Sequence, residues 1–244
     1  MPELRDPGHL PNLRPDGEAR KPDWLPRQRR GTSPQMVGRF PNYDVLEAAA
    51  DWDPATREVV EARLRPGGEL RFFAAAEATT AAALSDRILA QDEEPRVPVV
   101  ELIDRKLAEG RLDGYQYDDM PEDREAWHLV LAALDGTATR LHGKDSLAGC
   151  PVADQEGIVK AFADGSLEGP EWEGLNVSHA WSVCSRMVLE AFYSHPWAWN
   201  EIGFGGPAYP TGYMRLGPVG ILEPHERAGA TAEDPARATS EPAE

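Results

Sequence analysis

Apolar side chains recur along this chain at intervals of three and four residues, the spacing that gathers them on one face of a helix. Asp53-Pro54 offers an N-cap with proline at the first helical position. Val59, Val60 and Leu64 follow, and Pro66-Gly67-Gly68 stops the run. A second helix is predicted over about residues 74–89, where Leu84 and Ile88 stand four apart among alanines that permit close packing. Pro98 opens a third, with Val99, Ile103 and Leu107 at four-residue steps and Gly110 as its stop. Pro121 opens a fourth, whose stripe is Trp127, Leu131, Leu134, Ala138 and Leu141. Residues 154–162 form a short fifth, with Ile158, Val159 and Phe162 inward and Gly165 ending it. The sixth has the plainest stripe (Val177, Trp181, Cys184, Val188, Phe192) and is predicted to end near His195-Pro196. Only short ambiguous pieces such as residues 70–73 alternate like strands. The expected fold is all-α, an irregular bundle of about six helices with a long N-terminal arm and a Gly/Pro/aromatic C-terminal loop.

Composition sets the boundaries of that bundle. Residues 1–35 hold seven prolines and few apolar side chains, which predicts an extended or disordered arm. Residues 36–222 are expected to form a single helical domain. From 223 to 244 the Ala/Glu/Thr/Pro-rich sequence has nothing to build a core with and reads as a disordered acidic tail. Over the 244 residues the net charge is −17, which excludes a nucleic-acid binder, because phosphate recognition needs a basic face. The same charge suits docking on a basic partner surface. No apolar stretch approaches the roughly 20 residues of a membrane span.

The chemistry that a redox or hydrolytic enzyme needs is hard to find. Cys150 and Cys184 are the two cysteines, too few for an iron–sulfur cluster, and they read as buried free thiols. Residues 203–208 formally fit G-x-G-x-x-A, but a helix end precedes them where a dinucleotide fold needs a strand. The histidines at 9, 128, 142, 179, 195 and 225 show no metal-ligand spacing. His128 and His142 are expected to be satisfied surface or core groups. Asp118, Asp119, Glu122 and Asp123 cluster beside Tyr115 and Tyr117, and read as solvated loop charges.

Residues 192–215 stand out, because they set two tryptophans, three tyrosines and two phenylalanines among glycines and prolines. Such a segment either seals the open end of the bundle, with Asn200 and Glu201 satisfying buried backbone groups, or presents aromatic surface to a partner. A catalytic His195–Glu201 pair is a third reading, with neither a nucleophile nor a cofactor pocket beside it.

The run His195-Pro-Trp197-Ala-Trp199-Asn200-Glu201-Ile-Gly-Phe204-Gly205-Gly-Pro207, continuing through Tyr209 to Tyr213, resembles the C-terminal signature of the gluconate 2-dehydrogenase subunit 3 family. Further features resemble that family in the same order: Phe40-Pro-Asn-Tyr43-Asp44-Val-Leu46, Phe72-Phe73, Leu84-Ser-Asp86-Arg87-Ile88-Leu89, and Ile103-Asp104-Arg105-Lys106-Leu107. The likeness spans roughly residues 38–215. It implies a non-catalytic small subunit that stabilises and helps mature a large FAD-dependent dehydrogenase of the glucose–methanol–choline type, acting on a sugar or sugar acid. A cytochrome c subunit often accepts the electrons in such complexes. The resemblance carries over no catalytic, cofactor-binding or metal residue to this chain, and places FAD in the partner. What it does carry over, as a structural and docking signature, is His195, Trp197, Trp199, Asn200, Glu201, Phe204, Gly205, Pro207, Tyr209 and Tyr213. A transient assembly chaperone for the flavoprotein is the alternative, and a free-standing helical enzyme using His195, Glu201 or the acidic loop is a more distant one. Many members of the family begin with a twin-arginine signal. Here Arg29-Arg30 is followed by Gly31-Thr32-Ser33-Pro34-Gln35 where an apolar segment belongs, so a cytoplasmic location is expected, or a periplasmic one if a partner carries the signal.

Overall fold

The computed structural model describes residues 45–50, 52–64, 68–91, 96–112 and 114–207. The predicted arm and tail lie outside these. Among the described residues the chain is all-α, with no strand. Its helices are α1 (Pro54–Leu64), α2 (Ala75–Leu89), α3 (Val99–Ala108), α4 (Asp123–His142), α5 (Val152–Ala163), α6 (Val177–Tyr193) and α7 (Pro196–Ile202), and a 3-10 turn over Val45–Ala50 precedes them.

The six helices read from periodicity are present, and α7 is the addition. The sixth helix was predicted to run to His195-Pro196 and give way to irregular loop, but α6 stops at Tyr193 and a new helix follows. Proline at the first position of α7 needs no partner for a backbone N–H, and His195 caps the helix start. Gly203 then closes it in the left-handed conformation at φ 70°. The glycine and proline that suggest a loop therefore bracket a helix. The inward stripe of α6 also differs from the predicted one. Ala180, Val183, Cys184, Met187, Val188, Ala191 and Phe192 are buried, while Val177 and Trp181 are half-buried. Leu141, expected on the inward stripe, is exposed, and no residue of α4 beyond Ala138 is buried.

The chain divides into two compact units. The larger comprises residues 66–92 and 98–192, and so contains α2 to α5 and nearly all of α6. Trp127, Phe162, Leu84, Leu131, Leu134 and Ile158 are among its fully buried side chains. Each contributes roughly 1.5–3 kcal/mol by leaving water. Buried and half-buried carboxylates staple its loops to its helices. Asp104 of α3 accepts the backbone N–H groups of Arg71, Phe72 and Phe73, each at 2.9 Å, and so fixes the lead into α2. Asp135 of α4 accepts the Thr80 hydroxyl at 2.8 Å and the Leu147 N–H at 2.9 Å. Glu171 accepts from Arg140 Nε at 2.9 Å and from the Thr137 hydroxyl at 3.0 Å, while Thr137 in turn accepts from Trp172 Nε1.

The smaller unit comprises residues 1–65, 93–97 and 193–244, of which the described part centres on the 45–50 turn, α1 and α7. Asp53 Oδ1 caps α1 by accepting the N–H groups of Ala55 and Thr56, as the Asp-Pro pair predicts. Hydrogen bonds from Thr56 hold the Asp53 carboxyl below its usual range. Val45, Trp52, Val60 and Trp199 form this unit's core, with Leu46, Ala49 and Phe204 packed around it.

Candidate functional site

The signature segment lies in the smaller unit, and there the described side chains of His195, Trp199 and Asn200 are engaged. Asn200 is buried, and its Oδ1 accepts the backbone N–H of Val45 at 2.8 Å, across 155 residues of sequence. An unpaired buried N–H costs about 1–3 kcal/mol, so this bond holds the 45–50 turn on α7. The sequence reading that gave Asn200 a buried backbone group to satisfy is thus met. The Glu201 side chain lies outside what the structure describes, as do Tyr209 and Tyr213.

His195 is 1 % exposed. Its Nδ1 accepts the Trp197 N–H at 3.2 Å, capping α7. Accepting there requires an unprotonated Nδ1, so the neutral ring carries its proton on Nε2. Burial first, and the Arg63 guanidinium second, push the imidazole down to about 3. At neutral pH the ring is therefore uncharged. Arg63 of α1 donates to the Ser194 carbonyl at 3.1 Å and lies over the Trp199 ring at 5.7 Å.

Trp199 is buried in the unit's core, its Nε1 donating to the Tyr193 carbonyl at 2.6 Å and its ring meeting Phe204 edge-on. Gly206 is required by space as well as by conformation. It sits at φ +84°, and a Cβ there would lie 2.8 Å from Val45 Cγ2. Trp197, Phe204, Gly205 and Pro207 are half-buried, and Ile202 is exposed. The dinucleotide fingerprint at 203–208 has the wrong setting, since Gly203 ends a helix and its N–H is taken by the Trp199 carbonyl. The residues present do not fit a flavin or nicotinamide pyrophosphate.

Elsewhere the larger unit brings together groups that the sequence left apart. His179 of α6 meets Asp119 at 2.6 Å and stacks on Tyr117 at 3.9 Å, while Asn176 donates to the other oxygen of Asp119. The His179 bond is the main reason that the Asp119 carboxyl titrates below its usual range. Asp119, expected as a free loop charge, is therefore a pin between the 115–120 loop and α6. His128 meets Glu77 at 2.6 Å, and His142 meets Asp154 at 3.3 Å, so both are satisfied by carboxylates. Cys150 and Cys184 are buried and free, and burial raises both thiols, which leaves neither as a ready thiolate. No cluster of three or more potential metal ligands occurs among the described residues. None of their helices is long and apolar enough to cross a membrane.

Among the described residues, fold and site together define an all-helical protein in which Trp199 and Asn200 are tied back onto their own chain. The family model described as gluconate 2-dehydrogenase subunit 3 matches residues 75–206, just over half of the chain, and this protein belongs to that family. The match takes in α2 to α7 and ends one residue before Pro207. The likeness noted at residues 40–46 and 72–73 lies before it. Neither the comparison with curated proteins nor that with solved structures returned a match.

Proposed function

We propose that this chain is the non-catalytic small subunit of an FAD-dependent sugar or sugar-acid dehydrogenase, and that it stabilises and helps mature the flavoprotein. Its partner is a large subunit of the glucose–methanol–choline type, which carries the FAD and the substrate site, with a cytochrome c subunit taking the electrons. The observation that carries this reading is family membership over residues 75–206. Three features support it: the raised pKa values of both buried cysteines, the neutral and capped His195, and the helix end at Gly203 where a cofactor turn would need a strand.

Docking of helical faces on the flavoprotein would bury on the order of 2,000 Å² or more, as permanent complexes do. A subunit that binds only the folded partner stabilises it by mass action, and flavin retention follows. The test is to express the flavoprotein with and without this chain, then measure soluble yield, bound FAD and dye-linked sugar oxidation. The reading expects all three to fall without the small subunit. Equal values for the partner alone overturn it. A small subunit that raises yield but is missing from the finished enzyme is a transient chaperone instead.

A further inference from the structure

His195 is a histidine shut inside a capping site rather than exposed at a surface. Its ring performs one structural task, and that task depends on protonation. Nδ1 accepts the N–H of Trp197 at 3.2 Å, and a proton placed on that nitrogen turns an acceptor into a second donor facing a donor. The ring has almost no contact with water that could solvate a positive charge. The neighbouring charge is adverse as well. Of the groups on α1, Arg63 is the one whose field reaches the imidazole, and it is anchored by the Ser194 carbonyl and the Trp199 ring. The 45–50 turn, which also packs on α7, offers Val45, Leu46 and Ala49 as described side chains, none of them charged. Glu201, on α7 itself, and Glu47, on that turn, are carboxylates whose side chains the structure does not describe, and Glu201, on the same helix as the cap, is the one controlled for.

We propose that His195 is an acid-sensitive latch: protonation in mildly acidic solution expels the ring, uncaps α7 and frees the signature segment from the 45–64 part of its own unit. The sign follows from linkage. A histidine whose folded-state pKa lies near 3 leaves more protons bound in the opened state between that value and 6.5. Its stabilising contribution is therefore complete above pH 6.5 and is lost as the pH falls towards 3. The opening constant rises roughly tenfold for each pH unit in that window, or about 100-fold at pH 4.5 relative to neutrality. Opening releases the Asn200–Val45 bond and exposes Trp199, because both belong to the same capped helix.

The latch stands independently of the dehydrogenase reading, because the experiment uses the full chain alone. Hydrogen exchange of the 197–202 amides, corrected for intrinsic rates, is followed from pH 7.5 to 4.5 in the natural protein, in His195→Asn and in Glu201→Gln. Asparagine is a favoured N-cap that does not titrate, so the Asn variant is expected to keep its protection flat across the range. The natural protein and Glu201→Gln are expected to lose protection in parallel. Flat protection in the natural protein overturns the latch, and so does a transition that disappears in Glu201→Gln. Should His195→Asn fail to fold, NMR titration of the His195 ring in the natural protein decides. A midpoint well below 6.5 supports the latch, and an ordinary midpoint between 6 and 7 overturns it.

Discussion

The two units of this protein solve the same problem, fixing irregular chain against helices, with different groups. In the larger unit the task falls to anions: Asp104, Asp135 and Glu171 each gather two or more donors from loops or neighbouring helices. In the smaller unit no carboxylate is among the described anchors of α7: the Asn200 amide bonds the 45–50 turn, the His195 imidazole caps the helix, and Arg63 lies over Trp199 in a tryptophan-centred core. Carboxylates remain charged until the solution is strongly acidic, whereas a buried imidazole fails much nearer neutrality. The segment with the family signature is thus held by the more labile set.

The sharpest way to break this contrast is Asp104→Ala. Three backbone N–H groups lose their acceptor at once, and the larger unit should lose roughly 3 kcal/mol or more in urea unfolding, since bonds to charged acceptors are the strong ones. A loss below about 1 kcal/mol would mean that water replaces the carboxylate and that the staple is incidental. Gly206→Ala comes next. A left-handed backbone and a Cβ 2.8 Å from Val45 should together cost about 1–3 kcal/mol, read as faster exchange of amides in residues 45–64 and 196–202 while α2 to α5 are unaffected.

Asn200→Ala should cost about 1–3 kcal/mol by stranding the Val45 N–H, and Asn200→Asp, which keeps an acceptor, should recover most of it. Recovery failing in the Asp variant would show that the amide's second half matters more than the bond to Val45. The smallest effect concerns pH in the larger unit. Asp119 and Glu171 titrate below their usual ranges, held there chiefly by His179 and Arg140 respectively. Each contributes stability that is present above its ordinary pKa near 4 and is lost as the pH falls below it. The contributions of Asp119 and Glu171 should therefore stay constant from pH 7 to 5, the range in which exchange of α7 is expected to quicken.

Much of the architecture could be read from spacing alone. Apolar residues at steps of three and four mark α1 to α6 because those helices bury one face each, and the Asp53-Pro54 cap is local chemistry that needs no knowledge of the fold. α7 was hidden because seven residues give no periodic signal, and because His195 is an unusual N-cap. Asn200 was legible as a residue with a buried partner, but the partner's identity was not, since 155 residues separate it from Val45. The same distance effect concealed Asp104 and the Asp119–His179 pin. An acidic residue looks like any solvated charge until folding brings donors to it from 31 to 60 positions away. Of the signature, the fold leaves Trp197 half-buried, whereas it buries Trp199 and Asn200.

The role proposed for this helical chain is to clasp a flavoprotein. Sedimentation velocity of the purified chain mixed with that flavoprotein, followed at a flavin wavelength and at 280 nm, tests this most directly. A faster boundary that carries both chains and persists on dilution to nanomolar concentration is the predicted result. Two independent boundaries, each at the rate of the isolated component, would contradict it.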